Sequence, residues 1–291
     1  MVAVQPPVPN QRFDAPALAA RLDGRRVTVC LPARDEAATV GAIVRTIRGH
    51  LVEAVPLVAE VVVVDDGSAD ATAAVAAAAG ARVVESGGTG KGQAMWTGLA
   101  EAAGELVVFC DADLAGFGPH YVTGLLGPLL AGGGATFVKA AYSDRPRDGR
   151  AGEGGRVTEL LAKPLLAALY PALAGLAQPL AGECAAPRAV LESLPFVAGY
   201  GVDVGLVLDV AARYGAGAIA QVDLGPRVHR NRPLADLARQ AEVVLATVLA
   251  RAGLGPPVDE CPPLLATPHA APHAASQASR HAIAPESGAI A

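Results

Sequence analysis

The chain has 291 residues, a length that suits one α/β domain carrying a smaller lobe. Hydrophobic residues make up 52% of it, enough for a large core, and a net charge of −5 excludes the overall basic surplus typical of a nucleic-acid-binding protein. The four cysteines are widely spaced and form no CxxC pair, so we expect reduced thiols and a cytoplasmic protein.

Strand and helix patterns alternate through the first 115 residues, after a leader (1–25) that we expect to be loose apart from one short helix. The predicted strands cover 25–31, 61–64, 82–85 and 106–110, and the predicted helices cover 36–50, 70–80 and 93–103. This alternation predicts a mostly parallel, Rossmann-like sheet with helices on both faces.

A different pattern follows residue 144. It predicts helices over 156–176, 203–214 and 234–254, a strand over 219–224, and a disordered tail from 255 to 291. Three prolines interrupt the uncharged stretch 164–182, which favours short buried helices over a membrane span. We therefore predict a donor-binding region (26–143) followed by a mainly helical acceptor-binding region (144–254).

Asp111 and Asp113 alternate with Ala112 directly after a predicted buried strand. In extended geometry both carboxylates point the same way, where a divalent cation would relieve their repulsion. Mg²⁺ is commonly held by one or two carboxylates together with substrate phosphates. A solvated turn after a strand is the alternative interpretation, because a bare DxD is frequent by chance.

More carboxylates follow two other strands of the same predicted sheet. Asp35 and Glu36 come after the first strand, and Asp65 and Asp66 follow the run of four valines. Ligands of such sheets bind beyond the carboxyl ends of the strands, so these groups should meet in one crevice. Turn formation alone could explain the segment 65–68.

Lys91 belongs to a glycine-rich segment, GGTGKG, that fails the P-loop pattern because Glu85 and Gly92 occupy two of its required positions. What remains is a mobile lysine beside the crevice, either contacting a ligand or merely solvating a loop. The segment also lacks the GxGxxG register of a dinucleotide-binding fold.

Two later segments suggest anion binding. The segment RVHRNR (227–232) concentrates three arginines and a histidine in an acidic protein, which indicates a phosphate or carboxylate partner or an exposed charged loop. His229 could also supply a metal ligand. The segment GGRVT (154–158) opens a predicted helix, where backbone N–H groups favour anions, although simple N-capping is equally compatible.

Taken together, these segments resemble the GT-A sugar-nucleotide transferases, and the glucosyl-3-phosphoglycerate synthases of actinobacteria above all. The similar stretches are LPARDEAATV, EVVVVDDGSADAT, GKGQA, FCDADL, GGRVTELLAKPLL, GYGVDVGL and AQVDLGPRVHRNRPL. DxD and DDGS occur in many transferases, whereas GGRVTEL and HRNRPL are more specific to this family.

The resemblance implies a role for each matching residue. It assigns the UDP part to Pro32, Ala33, Asp35, Glu36, Asp66 and Lys91. The nucleotide and metal would face Asp111 and Asp113, with His229 completing the metal ligands. The 3-phosphoglycerate would be received by Arg156, Val157, Thr158 and Asn231, and the sugar and pyrophosphate region would be lined by Tyr200, Asp203 and Arg227. Two residues depart from the family pattern: Asp35 stands where the family usually has Asn, and Asp203 stands where it usually has Glu.

The implied reaction transfers glucose from UDP-glucose to 3-phosphoglycerate with retention of configuration, using Mg²⁺ or Mn²⁺ with Asp113, Arg227, Asp203 and Lys91 as the catalytic groups. We expect a homodimer, with no nucleic-acid partner and no stable membrane insertion. One alternative is the same fold acting on a polyprenyl-phosphate or polysaccharide acceptor. Another is a non-catalytic sugar-nucleotide-binding protein. A nucleotidyltransferase would need a glycine-rich, arginine-containing loop after the first strand, which is absent here.

Overall fold

The computed structural model describes residues 3–88, 90–144, 155–227 and 234–266. Strands are numbered along the chain: β1 (Val8–Pro9), β2 (Val27–Ala33), β3 (Glu60–Asp65), β4 (Arg82–Glu85), β5 (Leu106–Phe109), β6 (Phe137–Ala141), β7 (Cys184–Pro187), β8 (Phe196–Val197), β9 (Ile219–Asp223) and β10 (Glu260–Cys261).

The α-helices of the same residues are numbered in the same way: α1 (Ala15–Ala19), α2 (Val40–Ile47), α3 (Thr72–Ala78), α4 (Lys91–Glu101), α5 (His120–Leu130), α6 (Lys163–Leu169), α7 (Arg188–Glu192), α8 (Val202–Tyr214) and α9 (Leu234–Arg251). A π-helical turn, Arg48–Glu53, extends α2, and another, Thr158–Ala162, leads into α6.

One sheet organises the fold, with strand order β1-β9-β6-β7-β5-β2-β3-β4. Its neighbours are parallel except at β7, which is antiparallel to both β5 and β6. The run Val61–Val64 lies in β3 and is buried, as a strand covered on both faces requires. This mostly parallel α/β architecture confirms the predicted fold class.

Apolar side chains pack on each face of the sheet. On one face Ile43 of α2 and Val122 of α5 belong to the core. On the other face Met95 of α4, Val207 of α8 and Val248 of α9 belong to a second core cluster. Helices therefore cover both faces, as the alternating pattern predicted.

The leader differs from the expectation of a loose segment, because residues 3–25 pack onto the domain. Val8 pairs with Val222 in β9, which makes β1 an edge strand of the sheet. The amide of Asn10 donates to the carbonyl of Asp223 at 2.7 Å. A two-residue strand that exists only by pairing with β9 leaves no periodic pattern of its own in the sequence.

In the region after residue 144, the strand predicted over 219–224 is confirmed as β9, but β7 is an additional strand that joins the central sheet between β5 and β6. The helix predicted over 156–176 divides into α6 and a 3₁₀ turn, Pro171–Leu173. Proline removes an N–H donor and clashes with the preceding helical turn, which accounts for the break at Pro171.

Part of the segment predicted to be disordered, residues 255–266, has a described structure. Glu260 and Cys261 form β10, which pairs antiparallel with β8, and a 3₁₀ turn follows at Leu264–Ala266. Residues 267–291 lie outside the described residues. None of the helices in the described ranges combines the length and apolar character needed to cross a membrane.

A close backbone approach between α4 and β8 positions one side of the site. A Cβ atom on Gly92, in the first turn of α4, would overlap the carbonyl oxygen of Val197. We expect Gly92→Ala to lower the free energy of unfolding by about 1–3 kcal/mol, because a rigid backbone atom must move. The measurement is denaturant unfolding followed by circular dichroism.

Gly49→Ala is the matched control, since nothing lies within 4 Å of the Cβ it would add. This control should keep or slightly raise the stability of the parent, because Ala favours helical backbone over Gly. Equal stability of the two variants would contradict the predicted clash.

Candidate active site

The carboxyl ends of β2, β3 and β5 open into one crevice, which the start of α4 and the segment before α8 close on the other side. The lining residues are Pro32, Ala33, Arg34, Glu36, Asp66, Gly90, Lys91, Ala94, Asp111, Ala112, Asp113, Gly199 and Tyr200. Eight of them were singled out from the sequence: Pro32, Ala33, Glu36, Asp66, Lys91, Asp111, Asp113 and Tyr200.

Asp111 lies between two cations. Its Oδ1 is 3.0 Å from the Nζ atom of Lys91, and its Oδ2 accepts a hydrogen bond of 2.7 Å from Nη2 of Arg227. Burial by itself would raise the pKa of Asp111, but Lys91 and Arg227 outweigh it and hold the pKa well below its usual range. Asp111 is therefore a fixed carboxylate.

Gly182 explains why the Asp111 carboxylate fits so deep in the crevice. A Cβ atom on Gly182 would overlap both carboxylate oxygens and the Cγ atom of Asp111. Any other residue at position 182 would displace the carboxylate from Lys91 and Arg227.

Lys91 is held in place, contrary to the expectation of a mobile side chain. Its Nζ atom donates to Oδ2 of Asp203 at 3.1 Å in addition to contacting Asp111. Burial acts to lower the pKa of Lys91, but Asp111 and Asp203 raise it far above its ordinary value. The lysine stays protonated and bridges two carboxylates.

Asp203 lies in the first turn of α8, where the helix dipole favours a negative charge. The residue is buried, and among the described residues its Oδ1 atom has no hydrogen-bond partner. Burial raises the pKa of Asp203 against the opposing effects of Lys91 and Lys139. This Oδ1 atom has almost no accessible surface, and Asp203 reaches the crevice through Lys91 without being one of the lining residues.

Asp113 lies nearer the mouth of the crevice than Asp111. Its side chain is 29% exposed, compared with 20% for Asp111, and its Oδ1 atom lies 3.5 Å from Nη2 of Arg227. One Arg227 nitrogen thus faces both carboxylates of the DxD segment. Asp113 is the more accessible of the two to a bound ion or ligand.

Asp66 anchors the loop that precedes Lys91. Its Oδ1 accepts from Ser86 Oγ at 2.7 Å, and its Oδ2 accepts from the backbone N–H of Gly90 at 3.0 Å. Arg34, 58% exposed, places its Nη1 atom 3.9 Å from the same carboxylate. Asp66 lines the crevice and also fixes the start of α4.

Asp35 joins two loops at the crevice mouth. It has a left-handed backbone (φ 56°), its N–H donates to Ser68 Oγ at 3.0 Å, and its Oδ1 accepts from the Ala69 N–H at 2.7 Å. Asn and Asp both tolerate this conformation, so Asp can replace Asn here without backbone strain. Asp35 does not belong to the residues lining the crevice.

Other predicted site residues are not brought to the crevice by the described contacts. Val157 and Thr158 lie near the start of the segment leading into α6, and Thr158 is buried. Within the described ranges, Arg156 and these two neighbours are absent from the crevice lining. His229 and Asn231 lie outside the described residues.

Three buried residues behind the crevice carried no signal in the sequence analysis. Glu183 and Tyr142 contact Arg227, and the Nζ atom of Lys139 donates to the backbone carbonyl of Asp203 at 3.2 Å. Each of them is a single polar residue in or next to an apolar strand. Only the pairing of β6, β7 and β9 brings them under the site.

The acidic groups suit a cation that takes some of its ligands from a substrate. In the part of the chain that the structure describes, no three His, Cys, Asp or Glu side chains are arranged to hold a metal alone. Asp111 and Asp113 offer two carboxylates, the number that Mg²⁺ commonly uses together with phosphate oxygens. The donor set therefore fits a metal bound jointly with a diphosphate.

Comparison with known proteins gives consistent matches. Residues 28–154 match the model of glycosyl transferase family 2. The glucosyl-3-phosphoglycerate synthase of Mycolicibacterium paratuberculosis is 48% identical over 245 residues, which cover 79% of this chain and 74% of the relative. This chain belongs to the glucosyl-3-phosphoglycerate synthase family.

Solved structures of the glucosyl-3-phosphoglycerate synthase family share the fold. The Mycobacterium tuberculosis enzyme in complex with Mn²⁺, UDP-glucose and phosphoglyceric acid superposes with a TM-score of 0.79 and 42% identity, covering 87% of this chain and 95% of that one. Mannosyl-3-phosphoglycerate synthase from Rubrobacter xylanophilus gives 0.82 and 39%, covering 90% and 97%.

Glu183 should make the stability of this family member depend on pH. Burial raises the pKa of Glu183 from 4.5 to about 7, although Arg227 opposes the shift. The folded state therefore keeps a proton that the unfolded state loses earlier, so the free energy of unfolding should fall as pH rises from 4.5 to about 7.

Glu183→Gln removes this titration and should flatten that part of the pH–stability curve. The measurement is urea unfolding of the parent and the variant at several pH values across the window. Parallel curves for the two proteins would contradict the raised pKa.

Proposed function

We propose that the protein transfers glucose from UDP-glucose to 3-phosphoglycerate and produces glucosyl-3-phosphoglycerate. The observation that carries this proposal is the fixed row Lys91–Asp111–Arg227 at the carboxyl ends of the strands, with Asp113 beside it. Two buried cations and a pair of carboxylates suit a nucleoside diphosphate and its metal ion. The family to which the chain belongs supports the same substrates.

For the donor, we assign the uridine side of the crevice to Pro32, Ala33 and Glu36. Asp66 would act mainly by holding the loop before α4, and Asp35 by joining the two loops at the mouth. Tyr200 and Asp203 face the position of the sugar in this assignment. In this assignment the carboxylate of Asp203, which Lys91 Nζ contacts at 3.1 Å, would accept a hydroxyl of the sugar.

Asp113 and Asp111 would hold Mg²⁺ or Mn²⁺, and His229 remains the predicted further ligand. When bound, the metal supplies positive charge next to the departing diphosphate. Lys91 and Arg227 add fixed positive charge at the same place, because neighbouring carboxylates raise the pKa of each group and keep it protonated. Charge placed in advance costs no reorganisation when the bond breaks.

The acceptor would approach from the side of the segment before α6. The predicted contacts of the 3-phosphoglycerate phosphate remain Arg156, Val157, Thr158 and Asn231. The division between a donor region (26–143) and an acceptor region (144–254) also remains a prediction. Holding both substrates in one crevice makes the transfer effectively intramolecular. We infer front-face attack with retention, because Asp111, Asp113 and Asp203 each face a lysine or an arginine, which makes them poor nucleophiles.

A mannose donor is the second candidate, and the similarity to a mannosyl-3-phosphoglycerate synthase favours it. Asp203 bears on this choice, because it is one methylene shorter than the Glu expected there. The test is mass spectrometry of the products from UDP- and GDP-linked glucose and mannose, each with 3-phosphoglycerate. Glucosyl-3-phosphoglycerate from UDP-glucose alone is the expected result.

Other product patterns would redirect the proposal. Mannosylated product from GDP-mannose alone would establish the second candidate. Sugar-nucleotide binding without turnover would favour the non-catalytic alternative. Transfer only to a polyprenyl-phosphate or a polysaccharide would favour the other acceptors considered from the sequence.

Asp113→Asn should lower kcat about 100-fold, because the carboxylate is one of the two assigned to the metal and diphosphate. A chelator should abolish activity of the parent, and Mn²⁺ or Mg²⁺ should restore it. The measurement is initial-rate kinetics against metal concentration.

Asp23→Asn is the matched control for this variant. Asp23 has an exposed side chain on a turn at the opposite ends of the strands, with a left-handed backbone that Asn accepts. It should keep the rate and the metal dependence of the parent. Full activity of Asp113→Asn would refute the metal role.

We further propose a cytoplasmic homodimer. Helix α9 buries Val244 and Val248 in the protein but leaves Val243 and Leu245 more than one third exposed. These exposed side chains suit a two-fold contact between copies of the helix. Light scattering with size-exclusion chromatography measures the mass directly, and a monomer across micromolar concentrations would contradict the proposal.

A further inference from the structure

Arg227 is held from beneath by two buried residues that the proposed reaction does not use. Its Nη1 atom donates to Oε2 of Glu183 at 3.0 Å and to the hydroxyl of Tyr142 at 2.8 Å. The Oε1 atom of Glu183 lies 2.9 Å from the same nitrogen. The Tyr142 hydroxyl in turn donates to Glu183 Oε2.

The two ends of the guanidinium therefore face different partners. Nη1 is directed into the protein toward Glu183 and Tyr142, while Nη2 faces Asp111 at 2.7 Å and Asp113 at 3.5 Å. The ring of Tyr142 lies 5.2 Å from the guanidinium carbon, within the range of a cation–π contact. Together these contacts fix both the position and the rotation of the group.

The backbone alone does not position this side chain. Arg227 follows β9, and its N–H donates to the carbonyl of Asp144 at 2.9 Å, but the guanidinium extends across the sheet to reach Asp111 of another strand end. A free arginine side chain samples many rotamers, and fixing it in one of them costs conformational entropy. Glu183 and Tyr142 restrict that sampling before any substrate binds.

Stability gives no sufficient reason for a carboxylate in this place. Glu183 is completely buried, and a buried ion pair is often no more stabilising than apolar residues of the same volume. Glu183 precedes β7 and Tyr142 follows β6, so the antiparallel pairing of these strands brings both under Arg227. The arrangement has one directional consequence, which is the orientation of Nη2.

We propose that Glu183 and Tyr142 are positioning residues that direct Nη2 of Arg227 toward the diphosphate of the donor. This inference rests on the proposed transferase function, since it gives the fixed nitrogen its substrate. Above its raised pKa of about 7, Glu183 is ionised and its charge compensates the buried guanidinium, while Tyr142 fixes the angle between them.

Glu183→Gln keeps the shape of the side chain and removes its charge, and Tyr142→Phe removes only the hydroxyl. We expect Glu183→Gln to lower kcat/KM for the donor about 10- to 100-fold, because small displacements of a catalytic contact have effects of this size. The Kd of UDP, measured by calorimetry, should rise about tenfold. The acceptor KM should stay within about threefold of the parent value, since Arg227 is assigned to the diphosphate.

Glu192→Gln is the matched control. Glu192 also pairs with an arginine, its Oε1 atom lying 2.7 Å from Nε of Arg188, but this pair is on α7 and outside the crevice. The control should keep all three kinetic and binding constants of the parent. If Glu183→Gln, like the control Glu192→Gln, changed only the melting temperature and kept the kinetic and binding constants of the parent, the positioning role of Glu183 would be overturned.

A double-mutant cycle with Arg227→Lys decides whether Glu183 acts through Arg227. If it does, adding Glu183→Gln to Arg227→Lys lowers kcat/KM no further than Arg227→Lys alone. Multiplied losses would overturn the inference. If Glu183→Gln fails to fold, Tyr142→Phe replaces it in the same cycle.

Failure of this inference can be told from failure of the proposed function. An active parent with an unaffected Glu183→Gln variant would overturn only the positioning role. A parent inactive with every donor would refute the transferase proposal. The same double-mutant cycle, measured as the Kd of UDP, would then still test the positioning role. Glu183→Gln must weaken UDP binding in the parent but not in the Arg227→Lys variant.

Discussion

A row of buried and half-buried charges with alternating sign determines the geometry of this site. Each inner member of the row lies between two groups of opposite charge, so none can move without leaving another charge uncompensated in a poorly solvated place. The row joins residues beside the ends of β5, β7 and β9, one residue within β6, and the first turns of α4 and α8. Its members are Lys139, Asp203, Lys91, Asp111, Arg227 and Glu183.

This alternation explains how two cations, Lys91 and Arg227, coexist at the site that we assign to a diphosphate. Lys91 and Arg227 are compensated by Asp111, which lies between them, and each has a second carboxylate on its far side. A diphosphate and its metal can approach from the open side without first stripping water from free side chains. The energetic cost of fixing the charges is therefore met during folding, before the substrate binds.

Hydrogen bonds between loops give the mouth of the crevice a similar rigidity. Asp66 holds the glycine segment before α4, and Asp35 joins the loop after β2 to the loop after β3. Carboxylates that look like ligand contacts in the sequence are thus partly structural. Carboxylates at the same sheet edge therefore either hold loops together or face the ligand position, and only their hydrogen bonds distinguish these two roles.

The sequence by itself determined the parallel core and the residues of the crevice that follow its strands, because β-branched runs such as Val61–Val64 and the turns after them are local signals. Tertiary structure decided the edge strand β1, the antiparallel β7 and the roles of Glu183, Tyr142 and Lys139. Their positions depend on contacts between segments distant along the chain, such as that from Glu183 to Arg227, 44 residues apart. No periodic pattern encodes such a contact, since it exists only once the sheet has formed.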